Sequence, residues 1–399
     1  MVGGDRFVNA NFFSKNEHTK EFSITRKGDS RLDILSGNVI GAVGASSAIN
    51  VGQGFSILSG NMLTNAKNTS LTLDGDSIIN VQSSGCVAGA FAGGSAISVL
   101  DGTANSIVTG NSYFILNNSK GNEAHGSINT LAAGIAGGGL AIGMASGDAV
   151  SKVEGSTVID LQNGLAAGVM GGGMASGNRI AIAEDGSAKD AAGARVEVAN
   201  INISGGVIGE EKAGMQGNIY GGGIASTGGT TWVGTSNITV AGGTINGDIY
   251  GGGLSIGGNY GVGHECYNDA LSAVDTANVT LGAGSLKGNV YLGGRVLEDG
   301  ANTKGVAKAT VGAGTLTIYK DFKFLADDAV IDGSGAESAT LNFVNGYDFS
   351  KAEASEVALL DQPAGIVIKG FDKLDSGDLV TGANYDMGDK TSVEVTGNY

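Results

Sequence analysis

Two stretches of the chain carry residue types found at nucleophile sites: "KGDSR" at 27–31 and "DGDSI" at 74–78, each containing Gly-Asp-Ser. A catalytic serine needs an imidazole to take its proton and a carboxylate to hold that imidazole in place. A trypsin-like site continues Gly-Asp-Ser-Gly, but Arg31 follows Ser30 and Ile78 follows Ser77. Another esterase type places an aspartate two or three residues before a late histidine, and His264 is preceded by "YGVG". His18, His125 and His264 are the only histidines, and none has a partner nearby in sequence. Both fragments therefore read as turns, where Asp and Gly serve the backbone.

A second group, His264, Glu265 and Cys266, invites a metal or thiol reading. Zinc sites cluster several Cys and His, and a lone cysteine on a loop is ordinarily incidental. Cys86 lies far away in sequence. The Gly-Gly-x-Gly-x-Asp calcium repeat is absent, so the reading names no metal and no cofactor. A lyase or glycosidase would need clustered carboxylates and a basic residue on one face. Asp160 and Asp185, with Arg179, Arg195 and Arg295, are the candidates, and nothing in their spacing joins them.

The elements that would position such groups follow from composition. Of 399 residues, 72 are glycine and one is proline, which excludes a collagen repeat. With 41% hydrophobic residues in strand-like alternation, the glycines punctuate ordered β structure instead of a flexible linker. The net charge of −16 excludes a phosphate-tracking surface and so a nucleic-acid partner, and it keeps a long β surface soluble. No apolar run has the length and continuity of a spanning helix, and "MVGGDRFVNANFFSKNEHTKEF" does not resemble a signal peptide.

Aligning on the glycines gives seven copies of one phrase. They begin at Ala42, Phe91, Ile135, Val169, Ile219, Ile249 and Val290, at intervals of 49, 44, 34, 50, 30 and 41. A constant phrase at a variable interval predicts a coil with fixed β corners and connecting loops free to lengthen. "SNITVAGG" (236–243) and "ANVTLGAG" (277–284) alternate with a period of two. The fold expected is an all-β, right-handed parallel β-helix (a β-solenoid) with variable loops projecting from one side. In the triplets, positive φ or a missing Cβ would let coils stack closely. Phe91, Ile135, Val169, Ile219, Ile249 and Val290 form the expected inward column. The next residues, Val43, Ala92, Ala136, Met170, Tyr220, Tyr250 and Tyr291, form an outward one, ending in a stacked tyrosine ladder. Asn38, Asn218, Asp248 and Asn289 are expected to cap turns through local backbone.

Expected loops cover 50–70, 101–111, 143–155, 177–195, 227–235 and 259–276. Trp232, Tyr260, His264 and Tyr267 on the last two are the candidate binding residues, since loops on a rigid scaffold commonly carry function. Residues 1–30 read as an N-terminal segment or cap, 31–300 as glycine-rich coils with insertions, and 301–399 as more regular coils with a more aromatic core. Within the last part, "SKAEASEVALLD" (350–361) allows a helical turn and Pro363 marks a turn.

"GNIYGGG" and "GDIYGGG", alternating with "ITVAGGTI" and followed by "IVIKGFDKLDSGD", resemble the passenger region of bacterial autotransporters and related adhesin-like β-helix proteins over about residues 30–399. The resemblance implies export across an outer membrane, with the β-barrel lying outside this chain, and display at the cell surface. It implies a non-catalytic adhesin whose partners are host or bacterial surface glycans or proteins, or sister copies, with no membrane insertion of this part. A polysaccharide-acting β-helix enzyme and a structural stalk or filament are the alternatives.

Overall fold

The computed structural model of the chain describes residues 6–9, 19–45, 47–50, 66–99, 101–117, 131–144, 146–178, 192–209, 217–226, 228–257, 270–298, 307–319, 321–326, 328–344, 367–375 and 394–396. They form a parallel β-helix. One sheet has 24 strands and the other eight, and every strand pairing is parallel. A single turn of the helix runs through Gly229–Ile245, bends to Ile249–Tyr250, turns at a glycine triplet and crosses to Leu254–Gly257. The following turn repeats it as Ala270–Leu286, Val290–Tyr291 and Arg295–Glu298.

Alternation explains the wall. In Ala270–Leu286, Val274, Val279 and Leu281 are buried while Asn278 and Thr280 between them are half-exposed. Inward residues then stack in columns across coils. Val233, Val274 and Val311 form one column, and Ile238, Val279, Leu316 and Leu341 another. Each such side chain contributes about 1.5–3 kcal/mol by leaving water. On the small sheet Ala48, Ala96, Ala141 and Ala175 stack and pack with Ala104, Ala149 and Ala194 of the large one. Leu71 is the one large buried side chain in this cluster. In the last coils Phe322, Phe324 and Phe371 are buried in the core.

The register corrects one column. Ile135 pairs with Ala90 and Ala136 with Phe91, so Phe91 stands one place out from the inward line. That line is Ala42, Ala90, Ile135, Val169, Ile219, Ile249 and Val290, continued by Ile331 and Ile368. Phe91 instead belongs with Val43, Ala136, Met170 and the tyrosines, and Ala92 takes the first triplet position.

The triplets use the missing Cβ and not positive φ. None of Gly221, Gly222 and Gly223 has a positive φ, but a Cβ on Gly222 would lie 2.7 Å from the amide nitrogen of Gly253 on the next coil. Left-handed geometry occurs elsewhere, at Gly41, Gly89 and Gly134, which share one register position before the corner. Amides of one corner donate to carbonyls of the next: Gly222 N to Gly252 O at 3.1 Å, and Gly252 N to Gly293 O at 3.1 Å.

The Asx caps are not local. The Asn218 Oδ1 accepts from the amide of Asp248 at 2.9 Å, Asp248 Oδ1 from Asn289 at 2.8 Å, and Asn289 Oδ1 from Val330 at 2.8 Å. Each cap therefore ties one coil to the coil that follows. The side chain of Asn38 lies outside what is described.

Three of the expected loops are largely strand: 101–111 falls on Asp101–Val108, 143–155 on Ser146–Asn163 and 227–235 on Gly229–Ile245. Residues 51–65, 179–191 and 259–269, together with 350–361 and Pro363, lie outside the described residues. Thr19–Lys27 pairs with Ala66–Asp74 and so forms part of the ladder. The pairing of Ala270–Leu286 with Ala307–Tyr319 carries the wall across residue 300.

Candidate functional site

The nucleophile-like stretches are corners of the coil. The buried Ser30 hydroxyl donates to Gly44 O at 2.7 Å, and the buried Ser77 hydroxyl donates to Ala92 O. Their aspartates form a second inter-coil series: Asp29 Oδ1 accepts from the Asp76 amide at 2.9 Å and Asp76 Oδ1 from the Asn111 amide at 2.7 Å. Asn111 continues the series by accepting from the Ser156 amide at 2.9 Å. Gly-Asp-Ser thus supplies a tight turn, a forward cap and an inward hydroxyl for the corner opposite. Asp160 lies on the outer wall and accepts from Gln162 at 2.7 Å. Asp185, Arg179, the three histidines and Cys266 lie outside the described residues. Among the described residues, no three His, Cys, Asp or Glu side chains gather as a metal site.

The tyrosine column does form a ladder. Tyr220 and Tyr250 stack with centroids 5.1 Å apart and planes 12° apart, and Tyr250 and Tyr291 at 5.0 Å and 14°. It is less exposed than an outer column implies, because the wall bends here and makes a concave seam. Tyr220, Tyr250, Met170 and Leu254 form a separate apolar cluster, with Phe91, Ile224, Ile256 and Tyr291 packed against it. The seam is also polar at its rim. Asn218 Nδ2 donates to the Tyr220 hydroxyl at 3.2 Å, and the Tyr250 hydroxyl donates to Asp248 Oδ2 at 3.1 Å. The Arg295 guanidinium lies over the Tyr250 ring, 5.9 Å from its centroid. Burial pushes the Tyr250 phenol well above the ordinary tyrosine value, and the Asp248 carboxylate adds to the rise. Tyr291 is raised for the same reasons, burial first. Burial opposes the charge on Arg295, but its bond with Tyr220 and the neighbouring Tyr250, with a smaller share from Asp248, outweigh that and raise it. Stacked rings occupy one another's faces, so this seam binds coil to coil.

Trp232 has a different setting. It is not on a loop but on the strand Gly229–Ile245, between the buried Thr231 and Val233, with its side chain outward and half-buried. The register sets it beside Arg195 of the preceding coil and Ala273 of the following one. The Arg195 guanidinium lies over its ring at 4.9 Å from the centroid, and its indole N–H donates to Asp275 Oδ1 at 3.1 Å. Gly234 leaves room for the benzo edge, since a Cβ there would come within 3.2 Å of the ring. Arg195 and Asp275 are both exposed, so a rigidly held indole is flanked by one cation and one anion on the outer wall. A held aromatic with polar groups at its rim is suited to binding amphipathic partners with a small ordering cost.

Tyr260, His264 and Tyr267 lie outside the described residues, so Trp232 is the candidate binding residue that the structure places. Sequence reasoning missed Arg195 and Asp275 as its neighbours. The signal was their phase: Arg195 and Trp232 each stand one residue before an inward valine, Val196 and Val233, in consecutive coils. No known protein family, curated protein or solved structure matches the chain.

Proposed function

We propose that this chain is the passenger part of a bacterial autotransporter or a related adhesin-like protein, a non-catalytic solenoid displayed at the cell surface for adhesion. The observation carrying the reading is Trp232 with Arg195 and Asp275: an aromatic fixed on the outside of the wall by a guanidinium over its ring and a carboxylate on its indole N–H. Its amphipathic ring and flanking charges suit a glycan or a polar protein surface. The conversion of both Gly-Asp-Ser stretches into coil corners supports the non-catalytic side of the proposal.

The test is binding of the purified full chain to a glycan array and to host and bacterial cells, alongside the Trp232→Ala variant. Adhesion lost in the variant, with an unchanged circular-dichroism spectrum, is the expected result. Release of reducing ends from a polyuronate would replace this reading with a polysaccharide-acting enzyme. Assembly into filaments without any ligand would replace it with a stalk.

A further inference from the structure

The outer wall carries a second regular feature, distant in kind from the Trp232 site. One outward column across five consecutive coils is Asn200, Asn237, Asn278, Thr315 and Thr340. Two residues along each strand stands a parallel column of Asn202, Thr239, Thr280, Thr317 and Asn342. All ten side chains are at least partly exposed, and none is charged or aromatic, in a chain of net charge −16. Charge returns at both ends: Asp160 is in register with Asn202, and Lys373 and Asp375 with Thr340 and Asn342.

The array is periodic in two directions. Rungs of a parallel sheet repeat at roughly 4.8 Å, and residues i and i+2 on a strand are roughly 6.6 Å apart. No register shift interrupts these two columns from Asn200 to Asn342. Sheets of many strands stay flat when side-chain ladders hold them. Such a ladder is present, because Asn237 Nδ2 donates to Asn200 Oδ1 at 2.9 Å and Asn278 Nδ2 to Asn237 Oδ1 at 2.9 Å. Those bonds fix the amides, and a carboxamide that makes one such bond through each atom still has a further N–H and a further lone pair.

A flexible soluble glycan or a peptide needs a few well-placed groups and gains little from ten at a fixed spacing. A rigid two-dimensional array of short hydroxyl and amide side chains matches a partner that is itself a rigid, uncharged lattice of donors and acceptors. Crystalline polysaccharide presents carbohydrate C–H faces, which aromatic rings cover, and the array has no ring. We infer that this face binds the surface of ice crystals, the Thr methyls and the Asn and Thr polar atoms ordering the first water layer in register with the lattice.

The experiment uses the full chain and ice alone as the probe. Thermal hysteresis, inhibition of ice recrystallisation and partition into a slowly grown ice hemisphere are measured for the wild type, Thr280→Lys and Thr317→Lys. A third variant, Thr310→Lys, places the same charge outside the two columns. The wild type and Thr310→Lys should shape ice and enter it, while Thr280→Lys and Thr317→Lys lose both effects with unchanged denaturation midpoints. Absence of any wild-type effect on ice growth would overturn the inference, as would array variants as active as the wild type. Retention on microcrystalline cellulose without ice activity would overturn it in favour of an ordered polysaccharide.

Discussion

The glycine corner makes a prediction in which the contribution of packing can be isolated. Gly222→Ala would place a Cβ 2.7 Å from Gly253 N, 2.8 Å from Val274 Cγ2 and 2.9 Å from Gly253 Cα. Ordinary contact begins at 3.4 Å, so the next coil would have to retreat by 3.4 − 2.7 = 0.7 Å. Two of those three atoms are backbone, held by Gly222 N to Gly252 O at 3.1 Å and by Leu254 N to Gly223 O at 2.9 Å. Overpacking of this kind costs about 1–3 kcal/mol. Replacing glycine also restricts the unfolded chain, which favours the folded state by roughly 0.4–1 kcal/mol. Gly193→Ala supplies the control, because a Cβ there meets nothing within 4 Å and its φ is not positive. The unfolded-state gain is common to both variants and cancels in their difference. Urea denaturation followed by far-UV circular dichroism should therefore show Gly222→Ala less stable than Gly193→Ala by about 1–3 kcal/mol. Gly193→Ala itself should match or slightly exceed the wild type. A Gly222→Ala protein as stable as Gly193→Ala would refute the close-approach account of the triplets.

Other expectations follow from the corners and the seam. Leu292 occupies a first triplet position, and a Cβ on Gly314 would lie 2.9 Å from its Cδ1, so Gly314→Ala should destabilise and added Leu292→Ala should recover part of the loss in a double-mutant cycle. Asn218→Ala removes the acceptor of the Asp248 amide and should cost about 1 kcal/mol, with faster hydrogen exchange at that amide. Because burial raises the Tyr250 phenol, the folded state holds its proton where the unfolded chain has lost it, so stability is complete below pH 10 and falls above it. The slope is at most about 1.4 kcal/mol per pH unit for that group, and Tyr250→Phe should flatten it in denaturation midpoints measured from pH 9 to 11.5.

The coil was legible because its two signals are physical necessities. Stacked walls need period-two alternation, as in Ile238 and Val240, and a corner at coil spacing needs residues without a Cβ. The reading departs from the structure where those signals weaken. Phe91 reads as inward because Ala92 stands where later coils have glycine, which slides the alignment by one. The strands around 101–108, 146–155 and 229–235 read as loops because most of their inward side chains are small, Ala104, Ser106, Ala149, Ser151 and Thr231, and each strand has a single larger inward residue there, Val108, Val153 or Val233. Trp232, beside Thr231 on such a strand, reads as a loop residue for that reason. The tyrosine ladder was visible as a column. Its burial was not, because it depends on the corner that packs Leu254, Ile224 and Ile256 of the small sheet against the column.

The two Asx series point one way along the molecule. From Asp29 through Asn111, and again from Asn218 through Asn289, an oxygen on one turn awaits the amide of the turn that comes later in the chain. A completed turn is thus a mould for its successor, presenting an aimed acceptor before the next strand arrives. Growth from the amino-terminal side finds its docking points already set, whereas growth from the other side must bring them along.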